Sequence, residues 1–236
     1  MKYLLLALLM MISNAFAQDV KTYIPPRAHD HLPTLKTEVA RFAPEIKTPW
    51  YFAGLIEHES CPGLKHSKCW STTSQLKNNR EHGLGLFQMT RAWDAKGNLR
   101  FDNLTALSIK YRTHLGEMTW NNYGSRPDLQ IRSGVLLWME GYNGLPGMPE
   151  GIEKIAMASS AYNGGLSHVK RAREICVLTA NCNSKLWFNH TERYLPKSKT
   201  PDSRYGGQSM YSINTKHPRD IIYNRMNKYK QFWETK

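Results

Sequence analysis

The sequence predicts a mainly α protein with a small β ribbon, and three observations carry that expectation. Apolar residues recur at helical spacing in several separate segments, strand-like stretches are confined to residues 70–90, and glycine and proline clusters fall between the periodic segments instead of inside them. With 236 residues, 41% of them hydrophobic and 11% aromatic, the chain can bury one sizeable core. Disorder, collagen and coiled coil are excluded as global descriptions.

Each element follows in order. Residues 1–17 place Lys2 ahead of a short apolar run and end in Ala15-Phe16-Ala17, the pattern of a cleaved signal peptide. That run is too short for a finished transmembrane helix, and no later segment reaches the ~20 apolar residues a span needs. A retained anchor is the competing reading. Residues 18–35, with Pro25, Pro26 and Pro33, read as an extended arm, and Val39, Phe42 and Ile46 as a short first helix, together an N-terminal segment 18–47. From 48 to 236 the chain reads as one domain. Pro49 suits the first turn of a helix over residues 50–59. Residues 61–82 are polar and irregular, and the glycines of 83–88 forbid a stable helix interior, so a turn or short extended passage leads into 90–94. Helices follow over 104–115 and, most strongly, over 128–142 behind Pro127, where Leu129, Ile131, Val135, Leu136, Trp138 and Met139 form a broad apolar face. Another helix over 152–162 closes at Gly164-Gly165. Beyond residue 183 a loop runs to a last helix over 220–233.

Export makes an even cysteine count a disulfide signal. Cys61 with Cys69 and Cys176 with Cys182 close the shortest loops, so two local staples are expected among three formal connectivities. A zinc set built on Cys61, His66 and Cys69 lacks a tight second ligand pair, and no metal site is predicted. The net charge of +13, or +12 once Lys2 leaves with the leader, is spread along the chain. No nucleic-acid-binding motif accompanies it. In an exported protein such a surface attracts polyanions such as cell wall, or simply keeps the protein soluble.

Glu59 follows Phe52 by seven residues, Leu55 by four and Ile56 by three, which continues an apolar stripe, and Cys61-Pro62 ends the helix just beyond it. Desolvation and the negative end of a helix dipole both disfavour the charged form of a carboxyl placed there, as a general acid requires; the competing reading is a helix-end glutamate that turns its carboxylate to solvent. Glu57 lies off the stripe and reads as a surface residue.

Three segments carry a resemblance. Glu59-Ser60 at a helix end, Gly83-Leu84-Gly85-Leu86-Phe87-Gln88-Met89-Thr90 and Ala161-Tyr162-Asn163-Gly164-Gly165 are similar in order and spacing to the soluble lytic transglycosylase family of lysozyme-like enzymes. Gln130-Ile131 with Gly134 looks like the helix between its second and third motifs. The likeness spans residues 50–165. Phe87 replaces a usual methionine, and the family's C-terminal tyrosine is matched by Tyr223, with Tyr194 as alternative. An insertion at 174–218 lies outside the common pattern.

That resemblance implies a lysozyme-like fold whose groove binds the glycan strands of peptidoglycan, with no cofactor. Glu59 would protonate the oxygen between N-acetylmuramic acid and N-acetylglucosamine, then take a proton from the muramyl C6 hydroxyl to leave a 1,6-anhydro end. One residue acting as acid and then base needs no second carboxylate; Asp94 and Glu81 are the candidates if one exists. Ser60, Gln88, Tyr162, Asn163 and Tyr223 would bind substrate. Enzymes of this kind serve wall turnover, secretion or conjugation systems, and phage particles. A goose-type muramidase and a non-catalytic glycan-binding protein are the alternatives. A papain-like hydrolase is disfavoured by the paired cysteines, and a zinc peptidase by the missing second histidine after His58-Glu59.

Overall fold

In the computed structural model the described residues are 20–234, so the leader lies outside them. They are mainly helical, with one four-stranded antiparallel sheet in simple meander order. No helix among them is long and apolar enough to cross a membrane.

Helix α1 (Ala28–Phe42) is the first departure from the sequence reading. Its residues Ala28, Leu32, Leu35 and Val39 are buried in the core, so residues 28–35 of the expected arm belong to a core helix. Pro33 is accommodated because it faces solvent on the side away from that stripe. Next comes α2 (Tyr51–Ser60), which matches the expected helix within a residue and is buried at every position from Tyr51 to Glu57. At Gly54 an added Cβ would lie 2.9 Å from the Met226 backbone, so the C-terminal segment packs directly on this helix. Burial on all sides also corrects the reading of Glu57. Its side chain is wholly inside, bonded to Lys228 Nζ at 2.8 Å, Arg225 Nη1 at 3.2 Å and the Tyr229 hydroxyl at 2.5 Å.

The expected ribbon is larger than foreseen. Strands β1 (Gln75–Lys77), β2 (Glu81–Leu84), β3 (Met89–Trp93) and β4 (Leu99–Asp102) pair in sequence, with a register shift at Ala92/Trp93. The helical stretch after it breaks at Tyr111 into α3 (Asn103–Lys110) and α4 (Arg112–Leu115), with Asp102 accepting from Thr105 N as N-cap. Helix α5 (Pro127–Asn143) starts on its proline as expected and packs against α1 and against α6 (Ile152–Gly164).

Helix α7 (Leu166–Val177) was not anticipated, although Val169, Ala172 and Cys176 form its buried stripe. Helix α8 (Met210–Asp220) was also missed; it is polar, contains Pro218 and is capped by Ser209. The single helix expected over 220–233 is instead a π turn (Ile221–Arg225), a 3-10 turn (Met226–Tyr229) and a short α9 (Gln231–Glu234). Both local disulfides are present, Cys61–Cys69 behind α2 and Cys176–Cys182 at the end of α7.

Candidate active site

Glu59 sits in the last turn of α2, its side chain 15% exposed. Its Oε1 lies 2.8 Å from Nε2 of His217, a histidine of α8 that is 158 residues away in sequence and almost wholly buried. The preceding residue, His58, donates from Nδ1 to Asp220 Oδ2 at 2.8 Å, and its ring meets that of His217 edge to face at 4.6 Å. The insertion at 174–218, outside the common pattern, thus delivers the residue that bonds to Glu59.

The second and third motifs are held close by. The Tyr162 hydroxyl donates to the carbonyl oxygen of Phe87. Burial, and then the nearby Glu59 charge, push that hydroxyl well above the usual tyrosine range. Tyr51 is pushed the same way, mainly by burial and also by Glu59.

Glycines explain why the motif sequences fold as they do. Gly134 lets the Phe87 ring lie on α5, since a Cβ there would stand 2.1 Å from Phe87 Cγ. Gly85 turns at φ +86°, where Gln130 Oε1 accepts from Leu86 N at 2.8 Å. Gln130 Nε2 donates to Thr72 O and Tyr123 O, so one buried amide fastens the loops on both sides of the sheet to α5.

Several of the predicted substrate residues make hydrogen bonds within the fold. In the Gln88 amide, Oε1 accepts from Leu76 N, and Nε2 donates to Ser74 O and Gly85 O. Ser60 is buried, donating to Ile56 O and accepting from Trp70 N, which fixes the stapled loop after α2. Asn163 is exposed, with its amide 3.4 Å from Asn214 on α8. Tyr223 is 52% exposed and packs on Phe188 with ring centroids 5.2 Å apart, whereas Tyr194 packs against the core.

The candidate second carboxylates are engaged elsewhere. Asp94 accepts from Lys96 N, Asn98 N and the Asn98 amide, forming a turn. Glu81 lies 3.5 Å from the Tyr205 hydroxyl. Burial works against the charge of Asp220, but His58 and Arg225 outweigh it and hold that carboxyl well below its ordinary range.

His58, Glu59 and His217 are the one grouping of potential metal donors among the described residues, with atoms within 4.8 Å of one another. In this arrangement those donors are directed at each other, at Asp220 and at Ser159. Beside them a cavity of ≈ 440 Å³ is lined by His58, His217, Asp220, Lys216 and Arg219, which gives it a cationic wall.

Sequence reasoning missed His217, Ser159, Tyr51 and Asp220. His217 stands in Lys216-His217-Pro218, which no spacing rule relates to Glu59. Comparison with known protein families and with curated proteins finds no match, so a function for this chain rests on its own residues and their geometry.

Proposed function

We propose that the protein is an exported lytic transglycosylase of the lysozyme-like kind, acting on the β-1,4 bond between N-acetylmuramic acid and N-acetylglucosamine in peptidoglycan. The observation that carries the reading is the convergence of the three motifs. Glu59 at its helix end is linked through His217 to Ser159 on α6, and Tyr162, three residues further along that helix, bonds to the carbonyl of the Phe87-Gln88 turn, so residues far apart in sequence meet at one helix. Two disulfides fit an oxidising compartment, and the spread of positive charge fits an anionic wall.

Glu59 begins as the acid and protonates the glycosidic oxygen as the C1–O bond breaks. Its carboxylate then takes the proton of the muramyl C6 hydroxyl while O6 bonds to C1. The carboxyl is restored, no water is consumed, and the new end is a 1,6-anhydro ring. The C6 hydroxyl competes with water because it is already tethered to the reacting ring. Asp94 and Glu81 have other partners, which favours this route over hydrolysis with a water-positioning carboxylate.

Purified sacculi should be solubilised by the wild type. Glu59→Gln should lose at least about a hundredfold in rate, the scale of general acid catalysis, with folding intact. A folded Glu59→Gln variant that retains near-wild-type activity would remove Glu59 from the chemistry.

A further inference from the structure

Behind Glu59 two buried side chains continue the hydrogen bonding inward. His217 Nε2 lies 2.8 Å from Glu59 Oε1, and His217 Nδ1 lies 2.9 Å from the hydroxyl of Ser159, which is wholly buried.

The buried Ser159 hydroxyl has one hydrogen-bond partner among the described residues, His217 Nδ1. Its hydrogen is therefore satisfied when Ser159 donates to a bare Nδ1, which leaves Nε2–H to donate to Glu59. In the opposite arrangement Nδ1–H donates to Ser159, and the buried hydroxyl hydrogen is left without a partner, the costly outcome for a buried polar group.

From this accounting we propose that His217 is a positioning residue for Glu59: a neutral imidazole fixed in the Nε2–H tautomer, which holds Oε1 and leaves Oε2 as the oxygen that exchanges protons with substrate. The catalytic part rests on the glycosidic reading above; the tautomer does not.

The arrangement suits a carboxyl with two successive roles. Protonated on Oε2, Glu59 gives its proton to the glycosidic oxygen; ionised, it takes one from the C6 hydroxyl at the same atom. Oε1 is an acceptor in both forms, so Nε2–H fits both without moving a hydrogen between the steps. A bare Nε2 would instead draw the carboxyl proton onto Oε1, away from substrate, and after ionisation would set two lone pairs face to face.

Neutrality of the ring has a physical cause. Burial, the largest influence, pulls His217 below its ordinary 6.5, and neighbouring His58 adds to this, while the bond to Glu59 and the Asp220 charge oppose it. The groups facing it are Glu59 and His58 from α2, Ser159 from α6 and Asp220 from its own helix, with Lys216 and Arg219 along the adjoining cavity.

Nitrogen NMR of histidine-labelled protein at neutral pH, with His217→Gln to assign the signal, reads the tautomer directly. The expected result is hydrogen on Nε2 and a bare Nδ1; hydrogen on Nδ1, or on both nitrogens, overturns the proposal. The kinetic arm compares His217→Gln, whose amide N–H can reach the same oxygen, with His217→Leu, which has no donor. The leucine variant should lose about 10- to 100-fold in kcat with KM little changed, as misplacing a reacting group by ~1 Å does, and the glutamine variant should recover most of that. A leucine variant as fast as wild type, or folded leucine and glutamine variants equally impaired, would overturn the positioning role. Should the leucine variant fail to fold, Ser159→Ala takes its place: it removes the donor to Nδ1 and should yield a mixture of tautomers with a partial loss of kcat, and an unchanged tautomer and rate would count against the proposal. A wild type inactive on sacculi would refute the glycosidic reading, and the NMR result would still decide the tautomer.

Discussion

Replacing Glu57 by glutamine separates the roles of two glutamates that stand two residues apart. The Glu57 carboxylate is wholly buried and answers Lys228, Arg225 and Tyr229, while the Lys228 side chain is only 2% exposed. Glutamine keeps the shape but removes the charge and turns one acceptor into a donor, leaving the ammonium unable to find water. Breaking a buried ion pair from one side costs about 3–5 kcal/mol. Lys228 keeps its bond to Val20 O and Arg225 its bonds to Asp220, which places the expected loss near the lower end, about 3 kcal/mol. For a chain of this size each kcal/mol moves Tm by about 2–4 °C, so calorimetry should find a drop of about 6–12 °C. Specific activity measured well below that Tm should stay close to wild type. A Tm within about 2 °C of wild type would refute the buried cluster as a source of stability. Loss of activity in a fully folded variant would contradict the assignment of the acid to Glu59.

Two further outcomes follow from the packing and the titrating groups. Gly134→Ala sets a methyl 2.1 Å from Phe87 Cγ. Overpacking of this kind costs about 1–3 kcal/mol, and because the Phe87 carbonyl accepts from Tyr162, turnover should fall along with Tm; paired melting and activity assays that find neither change would refute the contact. His31 and His217 both lie below their ordinary 6.5, chiefly through burial, so below that pH the unfolded chain binds more protons than the folded one. Stability is therefore present above the unfolded value and is lost as pH falls through 6.5 towards the lower folded values, by at most about 1.4 kcal/mol per pH unit for each ring. Urea titrations at about pH 5 and pH 7 should show the rise with pH, flattened in His31→Gln and His217→Gln, and equal stability at the two values would refute it.

What was legible in the sequence was local. The stripe of Phe52, Leu55 and Ile56 and the stop at Cys61-Pro62 mark Glu59 as a largely enclosed carboxyl at a helix end, both short-range signals, whereas its proposed role as the acid came from the resemblance. The staples were legible for the same reason, since each closes a short loop. The stripe argument failed at Glu57 because it assumes that a helix has a wet face, and α2 has none between Tyr51 and Glu57. Pro33 suggested an extended arm, yet a proline on the solvent side of a helix leaves its buried stripe intact. Gln88 and Ser60 have side chains able to bind a sugar, and they also bond to Leu76, Ser74, Ile56 and Trp70, partners that only the fold brings near. His217 was out of reach for the same cause, because α8 is polar in sequence and its role depends on a contact 158 residues away.

The nucleophile can be identified by mass spectrometry of the new muramyl ends after purified sacculi are digested in heavy-oxygen water. With the tethered C6 hydroxyl as nucleophile, the ends should be 1,6-anhydro rings that carry no label, and Glu59→Gln should release none. Labelled, reducing ends would mean that water attacks, and would contradict the transglycosylase account.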